Sequence, residues 1–461
     1  QADTYLLNAE ELFLNVRDLK RIGQDFSFLS PEQQQLLMSF WSSFQVQPGH
    51  PLNQHFISIW EKLPQLYQQF NTVLKEKDLC YEGMIYRQMA ESLEEEKARV
   101  FLNRFYRFVF IGFNALNSCE KKLFRFLRDK NSADFFWDYD PYYIEDSFQE
   151  SGLFLRENLK EFPPPGGYRK DYSPLSAYRE IRVVPVPSYV MQAKIVSQII
   201  KDNNLPKDTR TAIVLGDENL LLPLLYGLGQ QEEKNWEMNV TMGFPLRQTS
   251  LFGLFDLLLR YYDRPGTEKD FRPVSMHPYI QALGIAKSIQ KIPGNTMELY
   301  SVFLRILDMI DESDTLPQND VMLSPVTRET RRLLNKLHLA ISRSSIEIDM
   351  ALFARLIRQH LSFATIPFSG EPLSGLQIMG FLETRCLDFE NIVIVSAQEN
   401  VLPKMFKDNS LIPRNVGKAF GLPSAEQHTA VQAYYFYRLL QRAKKVFLVW
   451  NCNPDGPARG E

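Results

Sequence analysis

Two carboxylates, Asp138 and Asp140, follow the predicted strand 133–137 and are separated by one residue. Carboxylate oxygens at a strand end can hold a divalent cation, but they more commonly accept hydrogen bonds that cap a loop. We therefore expect a capped loop here rather than a metal site. The histidines lack the spacing of metal ligands, and the nearby pair His50 and His55 is expected at the surface.

A basic cluster lies between residues 99 and 130. This segment has eight basic residues against two acidic ones, whereas the whole chain has 52 Lys and Arg against 55 Asp and Glu. The basic residues are Arg99, Arg104, Arg107, Lys121, Lys122, Arg125, Arg128 and Lys130. Such a local excess of positive charge suits contact with nucleic-acid phosphates, and we predict contacts from Lys121, Lys122 and Arg125. The alternative is a solvated helix face, where basic residues at helical spacing are common.

The overall composition is that of a globular protein. A chain of 461 residues, 44% of them hydrophobic, predicts about three domains with buried cores. No apolar run approaches the roughly 20 residues that cross a bilayer. The four cysteines are scattered without a CxxC pair, which predicts free thiols and a cytoplasmic location. The start without Met and the turn-rich end favour a piece cut from a longer protein.

Several motifs that carry enzyme chemistry are absent from the sequence. There is no GxxxxGKS/T phosphate loop, GxSxG elbow, HExxH helix or GxGxxG turn. The chain therefore offers no lysine and backbone cradle for a nucleotide phosphate, no activated serine and no zinc-binding histidine pair. No catalytic residue is predicted from the residues alone.

The spacing of apolar residues changes along the chain. Three- and four-residue spacing predicts helices in residues 1–105, and short β-branched and aromatic runs then predict buried parallel strands that alternate with helices. The predicted strands are 108–111, 133–137, 183–186, 211–215, 376–379, 391–395 and 446–450, and the predicted helices include 118–127, 190–200, 218–225, 327–341 and 428–443. Residues 163–167, PPPGG, predict a linker. The pattern indicates an α/β fold interrupted by a helical region.

One long segment resembles a helicase motif. Residues 376–389 read LQIMGFLETRCLDF, and they are followed by an apolar run at 391–395 and by ENVLP at 399–403. This resembles motif V of UvrD-like superfamily-one helicases, in the variant found in AddB-type helicase–nuclease subunits. In that variant a strand, an LETRGLDF loop, a second strand and an NEG segment come in this order.

Four further segments occur in the order found in that family. They are FIGFNAL at 110–116, similar to a degenerate motif II, WDYDPYY at 137–143, similar to motif III, NVTMGFPL at 239–246, and YYFYRLLQRAKK at 434–445, similar to motif VI. The resemblance implies two RecA-like parallel-sheet domains, the first one incomplete, each with a helical insertion. The expected divisions are 1–105 (first insertion), 106–170 (first RecA-like domain), 171–250 and 371–461 (the halves of the second), and 251–370 (second insertion).

The resemblance also implies a nucleotide site without the two acidic residues that ATP hydrolysis requires. Active helicases end the motif II strand with Asp and Glu, which hold Mg²⁺ and polarise the attacking water; Gly112 and Phe113 stand there in this chain. Arg442 matches the motif VI arginine that stabilises the γ-phosphate, and Asp388 matches the acidic residue that meets the ribose. ATP binding is therefore expected to be vestigial. The alternatives are a surface arginine at 442 and a loop cap or salt bridge at Asp388, and Cys386 replaces the usual glycine of the loop.

Contacts with DNA are implied in the same way. Motif III aromatic residues of the family stack on single-stranded bases, which points to Tyr143 and Trp137. The motif V loop touches the DNA backbone, which points to Thr384 and Arg385. Core packing is the favoured alternative for Trp137, and a salt bridge to a neighbouring carboxylate is the alternative for Arg385.

Together these features predict the helicase-like, ATPase-inactive, DNA-binding core of an AddB-type DNA repair and recombination protein. The resemblance implies a PD-(D/E)XK exonuclease domain beyond Glu461, which uses Mg²⁺ and in some members lies beside an iron–sulfur cluster. It also implies a helicase–nuclease partner subunit and no membrane. Two alternatives stay open: an active ATP-dependent DNA helicase, and a structural scaffold that binds protein alone.

Overall fold

A computed structural model describes most of the chain. The described residues are 1–13, 31–32, 34–35, 58–166, 168, 175, 179–229, 236–263, 268–313, 323–344, 347–366, 374–404 and 412–453. The histidines His50 and His55, the end of the predicted linker and the turn-rich end of the chain lie outside them. The chain divides into two compact units, one of Gln1–Gln192 with Thr384–Glu461 and one of Ala193–Glu383.

The helices and strands alternate after a helical start. The helices are α1 (Ala9–Leu12), α2 (Leu63–Glu76), α3 (Glu82–Glu91), α4 (Glu96–Leu102), α5 (Ser118–Asp129), α6 (Pro141–Ile144), α7 (Leu153–Glu161), α8 (Tyr189–Asp202), α9 (Leu221–Gly229), α10 (Ser250–Asp263), α11 (Glu268–Ser275), α12 (Pro278–Leu283), α13 (Ala286–Ile289), α14 (Thr296–Asp311), α15 (Leu323–Ser342), α16 (Met350–Ser362), α17 (Arg414–Ala419) and α18 (Ala425–Leu440). The strands are β1 (Phe108–Ile111), β2 (Ala133–Phe136), β3 (Glu180–Val186), β4 (Thr211–Leu215), β5 (Met238–Val240), β6 (Phe244–Pro245), β7 (Thr365–Ile366), β8 (Leu376–Gly380), β9 (Asn391–Val395) and β10 (Lys445–Asn451).

Strands β1 and β2 form a small parallel sheet in the first unit, joined by helix α5. The helix begins at a capping box, in which the Asn117 side chain accepts from the Glu120 amide and the Glu120 carboxylate accepts from the Asn117 amide. This box satisfies two amides at the helix start and fixes where the crossover begins. The strand and helix predicted at 108–111 and 118–127 are confirmed, and the strand predicted at 133–137 ends one residue earlier.

An aromatic core packs against this small sheet. Phe110 and Phe135 stack across the two strands with ring centroids 5.4 Å apart, and Phe124 of α5 lies 5.2 Å from Phe135. Phe162 comes after α7 and lies 5.0 Å from Phe135. Tyr434 of α18 belongs to the same buried cluster, so the C-terminal helix of the first unit is part of this core.

The second sheet has six parallel strands in the order β3-β10-β9-β4-β8-β5. Strands β4, β8 and β9 are buried at every residue, which explains why each consists mostly of apolar residues. The predicted α/β fold is therefore confirmed, with parallel sheets compatible with RecA-like domains that carry helical insertions. The expected domain boundaries stay predictions.

Several local features differ from the sequence predictions, among them the short strands β6 and β7, which were not predicted. The edge strand β5 was not predicted, because three residues are too few to show a periodic pattern. The helix predicted at 218–225 begins with a 3-10 turn at Glu218–Leu220, where the Asp217 side chain accepts from the Asn219 amide, before α9 continues.

Helices fill the second unit between α10 and α16. Phe255 of α10 and Phe303 of α14 pack with centroids 4.4 Å apart, and both are fully buried. The helical character expected for this region is confirmed over the residues that the structure describes. None of the described helices combines the length and apolar character needed to cross a membrane.

Candidate functional site

Asp138, just after β2, binds two arginines at the C-terminal end of α18. Its carboxylate lies 3.0 Å from Nε of Arg438 and 3.1 Å from Nη1 of Arg442. A second contact joins Arg442 Nη2 to Asp138 Oδ1 at 3.3 Å. Arg438 lies in the last turn of α18 and Arg442 two residues beyond its end, and both guanidinium groups reach the loop after β2.

Asp388 of the motif V-like loop completes the group. Its Oδ1 lies 2.8 Å from Nη1 of Arg438 and 2.9 Å from Nη1 of Arg442. Arg438 also donates a hydrogen bond to the Leu387 carbonyl. We call these four side chains, Asp138, Asp388, Arg438 and Arg442, the aspartate–arginine network. The salt-bridge alternative for Asp388 is therefore confirmed.

Burial makes this network a strong structural contact. The Arg438 side chain is only 7% exposed, so its charge depends on the two carboxylates for compensation. Burial alone would lower the pKa of Arg442, but hydrogen bonds to Asp138 and Asp388, together with their negative charges, raise that pKa above its usual value. Arg438 was missed from the sequence, although its four-residue spacing from Arg442 is a signal that could have identified it.

Neutral hydrogen bonds from α18 hold the same loop. The Tyr434 hydroxyl donates to the Asp138 carbonyl at 2.9 Å, and the Gln441 side-chain amide donates to the Tyr139 carbonyl at 2.9 Å. Burial raises the pKa of Tyr434 far above its ordinary value, and the charge of Asp138 adds to this. The hydroxyl therefore stays a neutral donor, and the loop after β2 is fixed at both its backbone and its carboxylate.

The end of β1, which the resemblance matches to the acidic end of the motif II strand, lies against the loop that contains Cys386. Gly112 has φ +77° and its carbonyl accepts from Cys386 Sγ at 3.7 Å. A Cβ atom at residue 112 would lie 2.8 Å from that sulfur. Cys386 itself has φ +59°. This is a left-handed conformation that glycine adopts more easily than cysteine.

The residues at the end of β1 do not supply the carboxylates that hold Mg²⁺ in active helicases. Gly112 supplies no carboxylate, and the sulfur of Cys386 occupies the space that a larger side chain would need. Arg442 is held by two aspartates. Among the described residues, no three His, Cys, Asp or Glu side chains come together as a metal site would require.

Asp140 has the capping role predicted for it. Its side chain accepts from the Tyr142 amide at the start of α6, at 2.9 Å, and from the Leu175 amide at 2.7 Å. Asp138, in contrast, is an ion-pair partner rather than a cap. The two carboxylates therefore act on different partners and do not form a joint cation site.

The two aromatic residues predicted to stack on bases lie in the core. Tyr143 is fully buried and Trp137 is almost so, with the Trp137 indole N–H donating to the Phe162 carbonyl at 2.8 Å. This position agrees with the core-packing alternative for Trp137. Because neither ring presents a face to solvent, base stacking is not assigned to them.

The two predicted backbone contacts of the motif V-like loop differ in exposure. Thr384 is buried, whereas Arg385 is exposed. The Arg385 guanidinium lies over the Tyr435 ring, 5.0 Å from its centroid. Among the described residues Arg385 forms no ion pair. The alternative prediction, a salt bridge to a neighbouring carboxylate, is therefore wrong.

Five of the eight residues of the basic cluster form ion pairs, four of them with acids outside the segment 99–130. The ion pairs are Arg99 with Glu94, Arg107 with Asp134, Lys121 with Glu157, Arg125 with Glu161, and Arg128 with Asp129. Arg104, Lys122 and Lys130 take part in no ion pair within the described part of the chain. Of the three predicted contacts, Lys122 is therefore the one whose charge is not compensated by a neighbour, while Lys121 and Arg125 are paired.

Comparisons with known proteins do not assign the chain to a family. No model of a protein family matches it, and no curated protein matches it.

The aspartate–arginine network predicts a large penalty for Asp138→Asn. The substitution leaves the buried Arg438 with one carboxylate partner, and removing a partner from a buried pair costs about 3 kcal/mol or more. The free energy of unfolding from urea titration measures this loss. Asp129→Asn is the matched control, because its pair with Arg128 is exposed and is worth below about 1 kcal/mol. Equal small losses for both variants would show that the network adds no stability.

The Gly112–Cys386 contact predicts coupling between the two positions. Gly112→Ala should destabilise the protein by about 1–3 kcal/mol, through left-handed strain and the sulfur contact. Gly421→Ala measures strain alone, since Gly421 has φ +78° and open space where its Cβ would be. In a Cys386→Gly background the cost of Gly112→Ala should fall to that of the control. Additive costs in this double-mutant cycle would contradict the steric explanation.

Proposed function

We propose that the chain is the motor-like, DNA-binding core of an AddB-type DNA repair protein, and that it does not hydrolyse ATP. The observation that carries the proposal is the aspartate–arginine network. It joins the loop that resembles motif III, at Asp138, to segments that resemble motifs V and VI, at Asp388 and Arg442. The carboxylates of Asp138 and Asp388 thus connect the three segments that resemble helicase motifs.

The network supports inactivity because Arg442 is already occupied. An arginine that stabilises a γ-phosphate must approach the nucleotide with its charge available. Here two aspartates hold that guanidinium, within 3.1 Å and 2.9 Å of Nη1. A nucleotide would have to displace both of them, and the end of β1 offers no carboxylate for its magnesium ion. The helicase-like fold would then bind DNA and the partner subunit, and it would not translocate along a DNA strand.

Exposed cations in the first unit support a DNA-binding role. Arg385 and Lys122 are exposed and form no ion pair among the described residues, so each can meet a phosphate without first losing a carboxylate partner. By the resemblance, the whole protein would work in the cytoplasm with a helicase–nuclease partner subunit. It would deliver DNA to a PD-(D/E)XK exonuclease domain that uses Mg²⁺. These assignments are part of the same proposal.

Phosphate release from ATP tests the inactive motor. We expect the purified protein to release phosphate at the same background rate with and without single-stranded DNA. The Arg442→Ala variant should share that rate, because the arginine already serves the network. DNA-stimulated turnover that Arg442→Ala abolishes would overturn the proposal in favour of an active helicase.

Fluorescence anisotropy with labelled single-stranded and duplex DNA tests the binding role. We expect binding that weakens steeply with salt, and Arg385→Ala should reduce the log–log salt slope by about 0.7–1, the value for one lost phosphate contact. Arg182→Ala is the matched control, because Arg182 is also exposed and also lies over a ring, 5.9 Å from the Phe447 centroid, but is paired with Glu180. No binding of either DNA at low salt would favour the protein scaffold.

A further inference from the structure

A cleft of about 400 Å³ opens at the amino ends of β1 and β2, the end of the small sheet opposite Gly112. Its walls come from the segment after α4, which includes Phe105 and Tyr106, and from the end of α5, which includes Phe126 and Lys130. This volume is within the range of pockets that hold small organic molecules. Its position on the sheet and its lining residues separate the cleft from the aspartate–arginine network.

Exposed aromatic rings line up beside this cleft. The Phe101 and Phe105 rings lie 5.7 Å apart, and the Phe105 and Phe108 rings 5.4 Å apart. Phe101 and Phe105 are each about half exposed, and Tyr106 is 97% exposed. Tyr106, next in sequence to Phe105 and also lining the cleft, thus presents its ring to solvent. Rings in such positions are the platforms on which unpaired nucleic-acid bases stack.

Two cations flank the rings. Arg104 lies over Phe101, with its guanidinium carbon 5.9 Å from the ring centroid, and Lys130 Nζ lies 4.2 Å from the Phe126 centroid. Neither forms an ion pair within the described residues, and no Asp or Glu lines the cleft. Their charge is therefore available to a polyanion. The C-terminal ends of α4 and α5 add partial negative charge nearby, so anion binding here depends on these two side chains.

We propose that this cleft binds single-stranded nucleic acid, with a base stacked on Tyr106 and the adjoining phosphates held by Arg104 and Lys130. The inference rests on the DNA-binding part of the proposed function and gives that function a second contact surface. Charge complementarity favours a polyanion over an apolar protein segment. A duplex fits less well, because its bases are stacked on one another and unavailable to the ring.

Substitutions of Tyr106 test the stacking. By anisotropy with labelled oligothymidine, Tyr106→Ala should weaken binding about five-fold or more, the effect of losing one stacked base. Tyr106→Trp keeps an aromatic face and should stay within about two-fold of the unsubstituted protein. Phe148→Ala is the matched control, since Phe148 is 93% exposed and does not line the cleft; its affinity should not change.

Substitution of Lys130 tests the charge. Lys130→Gln should weaken oligothymidine binding and lower its salt slope by about 0.7, the value for one phosphate contact on a single strand. Lys207→Gln is the control, because Lys207 also lies over a ring, 4.3 Å from the Trp236 centroid, but does not line the cleft. Ultraviolet cross-linking to an iododeoxyuridine oligonucleotide, followed by peptide mapping, should label the peptide that contains Tyr106.

The outcomes separate this inference from the proposed function. If the protein binds DNA, and Arg385→Ala weakens that binding while Tyr106→Ala and Lys130→Gln do not, the cleft is not the site and the proposed function stands. If the protein binds no DNA at low salt, the proposed function itself fails and the cleft assignment falls with it. Cross-linking confined to peptides outside 99–132 would also overturn the assignment.

Discussion

The pairing of Asp138 with Arg438 and Arg442 is the constraint on which the first unit depends. A carboxylate and a nearly buried guanidinium are costly to remove from water, and they persist only when each satisfies the other. Asp138 lies just after β2 of the small sheet, whereas Arg438 lies in the last turn of α18 and Arg442 just beyond it, some 300 residues later in the chain. The charge pair therefore specifies which loop the C-terminal helix meets, while Tyr434 and Gln441 fix its orientation through backbone carbonyls.

The same arrangement shows what holds the loops around Arg442 in place. In a working nucleotide site, the charges of the bound phosphates and metal ion hold the surrounding loops in place. In this chain Asp138 and Asp388 provide the negative charge that Arg442 binds, so the loops are ordered by the protein's own side chains. The aromatic core that contains Phe124, Phe135 and Phe162 packs against the loop after β2, through Trp137 and Tyr139. Ion pairs and the aromatic core thus hold this loop from two sides.

Features set by local pattern were predicted well from the amino-acid sequence. Short, mostly apolar runs identified the strands at 211–215 and 391–395 to the residue, because strands buried on both faces carry few polar residues. Features that depend on distant partners could not be predicted. The basic cluster looked strongly charged because Asp134, Glu157 and Glu161 lie outside the segment counted, and Arg438 had no visible role until Asp138 was placed beside it. Tyr143 likewise gave no sign that its ring would be enclosed.

The crowding between residue 112 and the sulfur of Cys386 has a consequence for how such a chain can change over time. Any side chain at residue 112 would have to share its space with that sulfur, on a backbone that already favours glycine. The residue that position 112 can accept therefore depends on the residue at position 386. The two positions, 274 residues apart in the chain, are constrained as a pair rather than one at a time.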